Sequence, residues 1–266
     1  MPVDLSMDLI QATVQLEQSL GDGRRTVGAG FLIDAPTPDG RPRIILVTAD
    51  HVLTRMPGPE TRIGYRVQAV GGKWRYDPQP LPIRDDGAPK WTRHPTRDVA
   101  VMEIKAPAEF AQAAIPLAWL AGEETFDKFG LSPGDEMMAL GFPLGLSANQ
   151  AGFPILRAGK VASYPLSPSA EFPTFLLDFS VFPGNSGGPV YMDSQNRGAR
   201  FVAGILTQQV ELSGDRLDIG IVTHARYIRE TVEMLDDRAP PVDVARAEPP
   251  PRGAVAASAA AMGRGR

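Results

Sequence analysis

Pro183-Gly184-Asn185-Ser186-Gly187-Gly188-Pro189 is the stretch on which the reading of this chain turns. A serine hydroxyl is a poor nucleophile and needs an adjacent base plus a place for the oxyanion that develops. Glycines around it let the backbone turn tightly and aim two N–H groups into one pocket. The plain alternative is a surface turn, since Gly, Asn, Ser and Pro are the commonest turn residues. A chance Gly-(Asn/Asp)-Ser-Gly-Gly in a chain of 266 residues has odds of roughly one in a thousand, or about one in a hundred once turn clustering is allowed for.

Upstream, Leu46-Val47-Thr48-Ala49-Asp50-His51-Val52-Leu53 runs an apolar strand directly into a histidine. That arrangement delivers an imidazole to the edge of a cleft, and a general base needs a pKa near working pH. By itself His51 reads more readily as a structural or surface histidine. Between the two segments lies Thr96-Arg97-Asp98-Val99-Ala100-Val101-Met102, where an aspartate opens an apolar strand. Burying that carboxylate is costly without partners, so it implies a specific hydrogen-bonding task, such as orienting an imidazole. A turn carboxylate or strand cap is the alternative. His51, Asp98 and Ser186 follow one another at separations of 47 and 88 residues. The order His, Asp, Ser separates this chain from the subtilisin and α/β-hydrolase orders.

The rest of the chain supplies a matching frame. Its 27 glycines and 26 prolines are a fifth of all residues, which points to many short strands joined by turns rather than a helical bundle. Strands are expected at 12–17, 26–33, 44–48, 65–70, 98–104, 136–142, 155–164, 174–179, 188–192, 201–208 and 217–223. One helix closes the set, with Thr223 as N-cap and Ile228, Val232 and Leu235 on one face. Strands at this spacing read as all-β, in two antiparallel barrels with a C-terminal helix. The expected division is 1–118, carrying His51 and Asp98, and 119–238, carrying Ser186. Residues 239–266 hold five prolines, nine alanines and no aromatic residue, and are expected to be a disordered tail.

Zero cysteine excludes disulfides, zinc–thiolate sites, iron–sulfur clusters and thiol catalysis. A net charge of −4 gives no reason to expect a nucleic-acid partner, and no apolar run reaches the 18 residues of a membrane span. Residues 1–18 lack a signal-peptide pattern, so the expected location is cytoplasmic, with leaderless export left open. Neither a cofactor nor a metal is expected: Glu123-Glu124 and Asp85-Asp86 read as solvated loop charges. His94, in an Arg-His-Pro loop context, reads as a surface histidine, and His224 as a structural residue in the first turn of the terminal helix.

Taken together, these motifs resemble the chymotrypsin-fold serine proteases, closest to the bacterial trypsin-like peptidase domains of the high-temperature-requirement type. The likeness runs from about Gly28 to Leu235. Gly28-Ala29-Gly30-Phe31 is similar to the family's G-x-G-F strand, Thr48-Ala49-Asp50-His51 to its T-A-x-H motif, and Asp98-Val99-Ala100-Val101 to D-[IVL]-A-[VL]. Gly141-Phe142-Pro143-Leu144-Gly145 resembles its G-x-P-x-G turn, and Gly184–Pro189 matches G-N-S-G-G-P. The resemblance implies two six-stranded Greek-key barrels. It also implies Ser186 as nucleophile, His51 as general acid/base and Asp98 as its orienter. The oxyanion hole would be the N–H groups of Gly184 and Ser186, with Asn185 helping to hold the loop. Thr207 and Gln209 would lie on the strand that pairs with an extended peptide or protein substrate. Ser180 would stand at the floor of the primary pocket, which favours small or medium uncharged side chains over Lys or Arg.

Two departures narrow the implication. Asn185 replaces the acid that would pair with a freed N-terminal amine, so that activation switch is not expected, and neither is a PDZ-like module. The reading is therefore a serine endopeptidase acting through an acyl-enzyme. A catalytically silent peptide-binding module, or a self-cleaving protease or esterase, stands as the alternative.

Overall fold

The computed structural model describes residues 4–21, 23–212 and 215–238, with the side chains of residues 209–216 and 238 outside that description. The tail expected at 239–266 lies outside the described residues. The first described element is helix α1 (Leu5–Ala12), where the Asp4 carboxylate caps the first turn by accepting the Met7 N–H at 3.1 Å. Leu5, Leu9 and Ala12 recur at helical spacing and are fully buried. This helix occupies the residues before the strand expected at 12–17, which itself begins at Thr13.

The N-terminal sheet comprises β1 (Thr13–Gly21), β2 (Arg24–Asp34), β3 (Ile44–Thr48), β4 (Glu60–Gln68) and β5 (Trp74–Pro82). After the small hairpin β6 (Arg84–Asp85) and β7 (Ala88–Pro89) it resumes with β8 (Thr92–Arg93), β9 (Ala100–Ile104) and β10 (Ile115–Pro116). The one-turn helix α2 (Asp50–Thr54) follows β3, and α3 (Ala108–Ala113) precedes β10. The strand order is β5-β4-β1-β2-β3-β9-β8, with β10 beside β2. It therefore holds eight strands where six were expected.

Strand β5 is the clearest departure from the sequence reading. Pro78, Pro80 and Pro82 sit at alternate positions, opposite Gly64, Arg62 and Glu60 of β4. A period of two directs all three ring nitrogens to the open side of this edge strand, where no ladder hydrogen bond is lost. The same prolines block a further strand from adding there.

Helix α4 (Thr125–Lys128) lies in the connection to the second half. There β11 (Glu136–Gly141), β12 (Ile155–Val161), β13 (Thr174–Asp178), β14 (Pro189–Ser194), β15 (Ala199–Leu212) and β16 (Asp215–His224) close a barrel in the order β11-β12-β13-β16-β15-β14. The all-β architecture is as expected. Helix α5 (Arg226–Arg238) then crosses back to the first sheet, where Asp236 pairs with the buried Arg43. Among the described residues no helix is long and apolar enough to cross a membrane.

Two histidines differ from expectation. His94 is buried rather than exposed: its Nε2 lies 3.2 Å from Glu230 of α5, its Nδ1 accepts the Thr96 N–H, and Tyr227 meets it edge-on. The returning helix covers what reads locally as a loop. His224 ends β16 rather than opening the helix, and Thr223 is a strand residue rather than the cap.

Candidate active site

Strand register places the first two site residues. The β3–β9 ladder ends with Thr48 opposite Ala100, so the chain beyond Thr48 and the chain before Ala100 emerge at the same end of the sheet. His51 sits in α2 and Asp98 in the turn before β9. The His51 Nδ1 lies 2.6 Å from Asp98 Oδ2, and the His51 backbone N–H donates to Asp98 Oδ1 at 2.9 Å. This two-point clamp makes Nδ1 the donor, so Nε2 carries the lone pair in the neutral ring. Burial alone would raise the Asp98 pKa. The His51 hydrogen bonds and charge, with Arg55 beyond, outweigh it and hold the carboxyl below the usual range. Asp50, its neighbour in sequence, turns away to accept the Trp91 indole N–H at 2.8 Å.

The serine loop comes from the other barrel. Gly187 N–H donates to Leu206 O at 2.7 Å, and Leu206 N–H to Gly188 O at 3.0 Å, which fastens the loop to β15. The Ala29 N–H donates to Ser186 O at 2.8 Å, which ties it to β2. Gly187 has φ +87°, and a Cβ there would stand 2.2 Å from Ala29 O and 2.3 Å from Thr48 Oγ1. At this residue the serine loop rests on the turn that carries His51. Ser186 is partly buried, and its hydroxyl donates to the Thr207 carbonyl at 3.2 Å; no hydrogen bond joins it to His51.

The candidate oxyanion donors are placed by the turn at 142–145. Leu144 N–H donates to Pro183 O at 2.7 Å, and Phe142 N–H to Gly184 O at 3.1 Å. The peptide is planar and trans, so a Pro183 carbonyl facing Leu144 sends the Gly184 N–H the opposite way. Asn185, Gly187 and Gly188 donate their N–H groups within the protein. Among the described residues the N–H groups of Gly184 and Ser186 have no acceptor. The Asn185 side chain differs from expectation: it is buried against Gly141, and neither its oxygen nor its nitrogen has a partner. Its backbone holds the loop instead: the N–H donates to Phe182 O at 3.0 Å, and the carbonyl accepts the Gly188 N–H at 3.1 Å.

Thr207 is the extra residue of a β-bulge, because Leu206 faces Val222 while Gln208 faces Ile221. Its side chain is buried and donates to Ile221 O at 3.2 Å. What it offers outward is therefore backbone. The β14 partner of β15 stops at Pro189 opposite Ile205, so beyond Leu206 this edge has no strand beside it among the described residues. Gln209 continues the strand opposite Gly220, and its side chain is outside the described residues. Ser180 lies partly buried between β13 and the serine loop, flanked by buried Phe179 and Val181. Among the described residues no His, Asp and Glu group is arranged to hold a metal.

Two supporting residues had no clear signal in the sequence. Arg66 of β4 is buried without a carboxylate partner. It donates to Gly152 O at 3.1 Å, Gln11 O at 2.7 Å and Thr13 O at 2.8 Å, between the Phe110 and Phe153 rings. Burial lowers its pKa to about 10, so it stays charged at neutral pH. Gln15 of β1 donates to Gly145 O at 3.1 Å. Together they moor the 142–153 segment, and with it the Gly184 peptide, to the N-terminal sheet.

A family model described as the trypsin-like peptidase domain matches residues 28–205. No curated protein matches the sequence significantly. Among solved structures, an HtrA-type protease determined with a tripeptide is 16% identical with a TM-score of 0.53, covering 89% of this chain and 64% of that one. A serine endoprotease from Yersinia pestis is 18% identical with a TM-score of 0.52, covering 90% of this chain and 68% of that one. The chain thus spans about two thirds of the length of these neighbours, and the likeness to them is one of fold.

Proposed function

The chain belongs to the trypsin-like peptidase domain family, and from that premise we propose that it is a serine endopeptidase using His51, Asp98 and Ser186. In the first step the Ser186 Oγ attacks the carbonyl carbon of the scissile peptide bond, and His51 Nε2 takes the hydroxyl proton. The C=O electron pair moves onto oxygen, which is received by the Gly184 and Ser186 N–H groups. Collapse of that intermediate breaks the C–N bond, and the imidazolium returns its proton to the leaving amine. Water then hydrolyses the acyl-enzyme by the same route in reverse. Asp98 keeps Nδ1 protonated and stabilises the imidazolium while remaining ionised.

The observation that carries this reading is the two-point His51–Asp98 clamp. Substrate backbone would pair with the open edge of β15 from Thr207 towards Gln209, as an added strand. With Ser180 at the floor and no carboxylate there, the primary pocket would take small or medium uncharged side chains. The Ser186 hydroxyl must leave the Thr207 carbonyl and rotate about χ1 to reach the base, a staggered-well change available to any serine. That bond to Thr207 is the one observation favouring the silent peptide-binding alternative. A fluorophosphonate probe with a casein digest decides between them. Labelling and proteolysis that vanish in Ser186→Ala support the peptidase. Well-folded protein that neither labels nor digests refutes it.

A further inference from the structure

A polar cleft adjoins the oxyanion side of the site and takes no part in the chemistry above. Its walls are Gln15 and Glu17 of β1, Arg25 of β2, Arg62 of β4, Tyr76 of β5 and the loop 145–152, around a volume of about 280 Å³ open to solvent. Arg25 pairs with Glu17 at 3.0 Å. Arg62 is exposed and makes no ion pair or hydrogen bond among the described residues. The lining thus carries one positive charge in excess, in a protein whose net charge is −4. Tyr76 is set in place by donating to Gln15 Oε1 at 3.2 Å, and its ring fills the space over Gly64 and Gly152.

The position of the cleft relative to the scissile bond follows from what flanks the serine loop. On one side Gly187 and Gly188 bond to Leu206 of β15. On the other, Gly184 and Pro183 bond to Phe142 and Leu144. A chain laid along β15 and crossing Ser186 therefore leaves over the 142–145 turn. Gly145 ends that turn and forms part of the cleft wall, with its N atom 3.3 Å from where a Gly184 Cβ would stand. At about 3.3 Å per extended residue, the first few residues beyond the scissile bond span this distance.

We propose that this cleft receives an acidic side chain from the segment of substrate that departs with the amine. The assignment rests on the peptidase reading for the direction in which substrate runs. Arg62 stands opposite Glu17 in the β1–β4 ladder, but Glu17 is paired with Arg25, so Arg62 supplies the attraction and a lysine at the same place would meet like charge. An exposed pair of this kind contributes about a three- to fivefold preference at low ionic strength and fades as salt screens it.

The test has two arms, both using peptides amidated at the C-terminus so that the side chain is the sole carboxylate. In the first, Ser186→Ala protein binds fluorescent peptides that differ only in Glu, Gln or Lys on the leaving side, followed by anisotropy at low and high salt. In the second, wild-type protein cleaves the same peptides, and kcat/KM is compared within the series. The expected result is an order Glu > Gln > Lys in both arms, about threefold or more per step at low salt, and inverted by Arg62→Glu. Binding in that order without cleavage by the wild type refutes the peptidase reading and leaves the cleft assignment standing. Cleavage or binding indifferent to the charge, an order that Arg62→Glu leaves unchanged, or no binding at all overturns the cleft assignment.

Discussion

Gly187→Ala probes the contact that brings the two halves of the site together. At φ +87° an alanine pays the left-handed penalty of about 1–2 kcal/mol. The larger effect is steric. The new Cβ would stand 2.2 Å from Ala29 O and 2.3 Å from Thr48 Oγ1, whereas carbon–oxygen contacts normally begin near ~3.3 Å. Those two atoms are bonded to each other at 2.7 Å, so neither can move alone. Relief requires the serine loop and the His51 turn to separate by about 1 Å, a misplacement that costs on the order of 100-fold in rate. Gly198→Ala is the matched control: its φ is +62°, but a Cβ there meets open space, so only the backbone penalty remains. Turnover of a peptide substrate, with urea denaturation in parallel, should show a loss of about 100-fold in kcat for Gly187→Ala. Gly198→Ala should keep wild-type turnover with about 1 kcal/mol less stability. A folded Gly187→Ala protein with wild-type kcat, or an equal loss of activity in Gly198→Ala, would refute the argument that this residue sets the distance between nucleophile and base.

Asp98→Asn removes the acceptor that keeps Nδ1 protonated, and kcat should fall by about 10³–10⁴ with the fold retained by circular dichroism. His224, walled by Phe126 and Phe175 with an unpartnered Nε2, is driven by burial to a pKa of about 4 from an ordinary 6.5. The unfolded chain then binds the extra proton between those values, so stability is complete above pH ~6.5 and declines by about 3 kcal/mol as pH falls towards 4. Urea titrations at both ends of that window should show His224→Phe lacking this share of the decline; a slope identical to the wild type would count against it. Arg66→Lys replaces a planar fork that reaches carbonyls on two segments with a single nitrogen, and should cost about 2 kcal/mol with faster hydrogen exchange across residues 143–153. Unchanged stability and exchange would show that the mooring is dispensable.

Much of the site was legible because its chemistry is local. The serine loop needs glycine where a Cβ would strike backbone, and His51 follows an apolar strand because the strand carries it to the cleft edge. Two of the readings that missed share one cause. The strand at 74–82 was hidden by its prolines, which are tolerated only because β5 is an edge, a fact of pairing that its own residues do not state. Helix α1 did leave a trace in Asp4, Leu5, Leu9 and Ala12, at cap and helical spacing. His94 read as exposed because α5, more than a hundred residues later, is what buries it.

The residue types and their order along the chain determined the all-β class, the identity of the three candidate catalytic side chains and the loop able to present two N–H groups. These follow from short-range properties: backbone freedom at glycine, strand periodicity and the reactivity of each side chain. Tertiary structure alone decided how those parts meet. The Thr48–Ala100 register sets His51 against Asp98, and Gly187 against Ala29 and Thr48 brings the serine loop to them. Arg66 and Gln15 hold the segment that orients the Gly184 peptide. Each of these contacts joins residues far apart in the chain, and its geometry is fixed only when the surrounding cores close-pack.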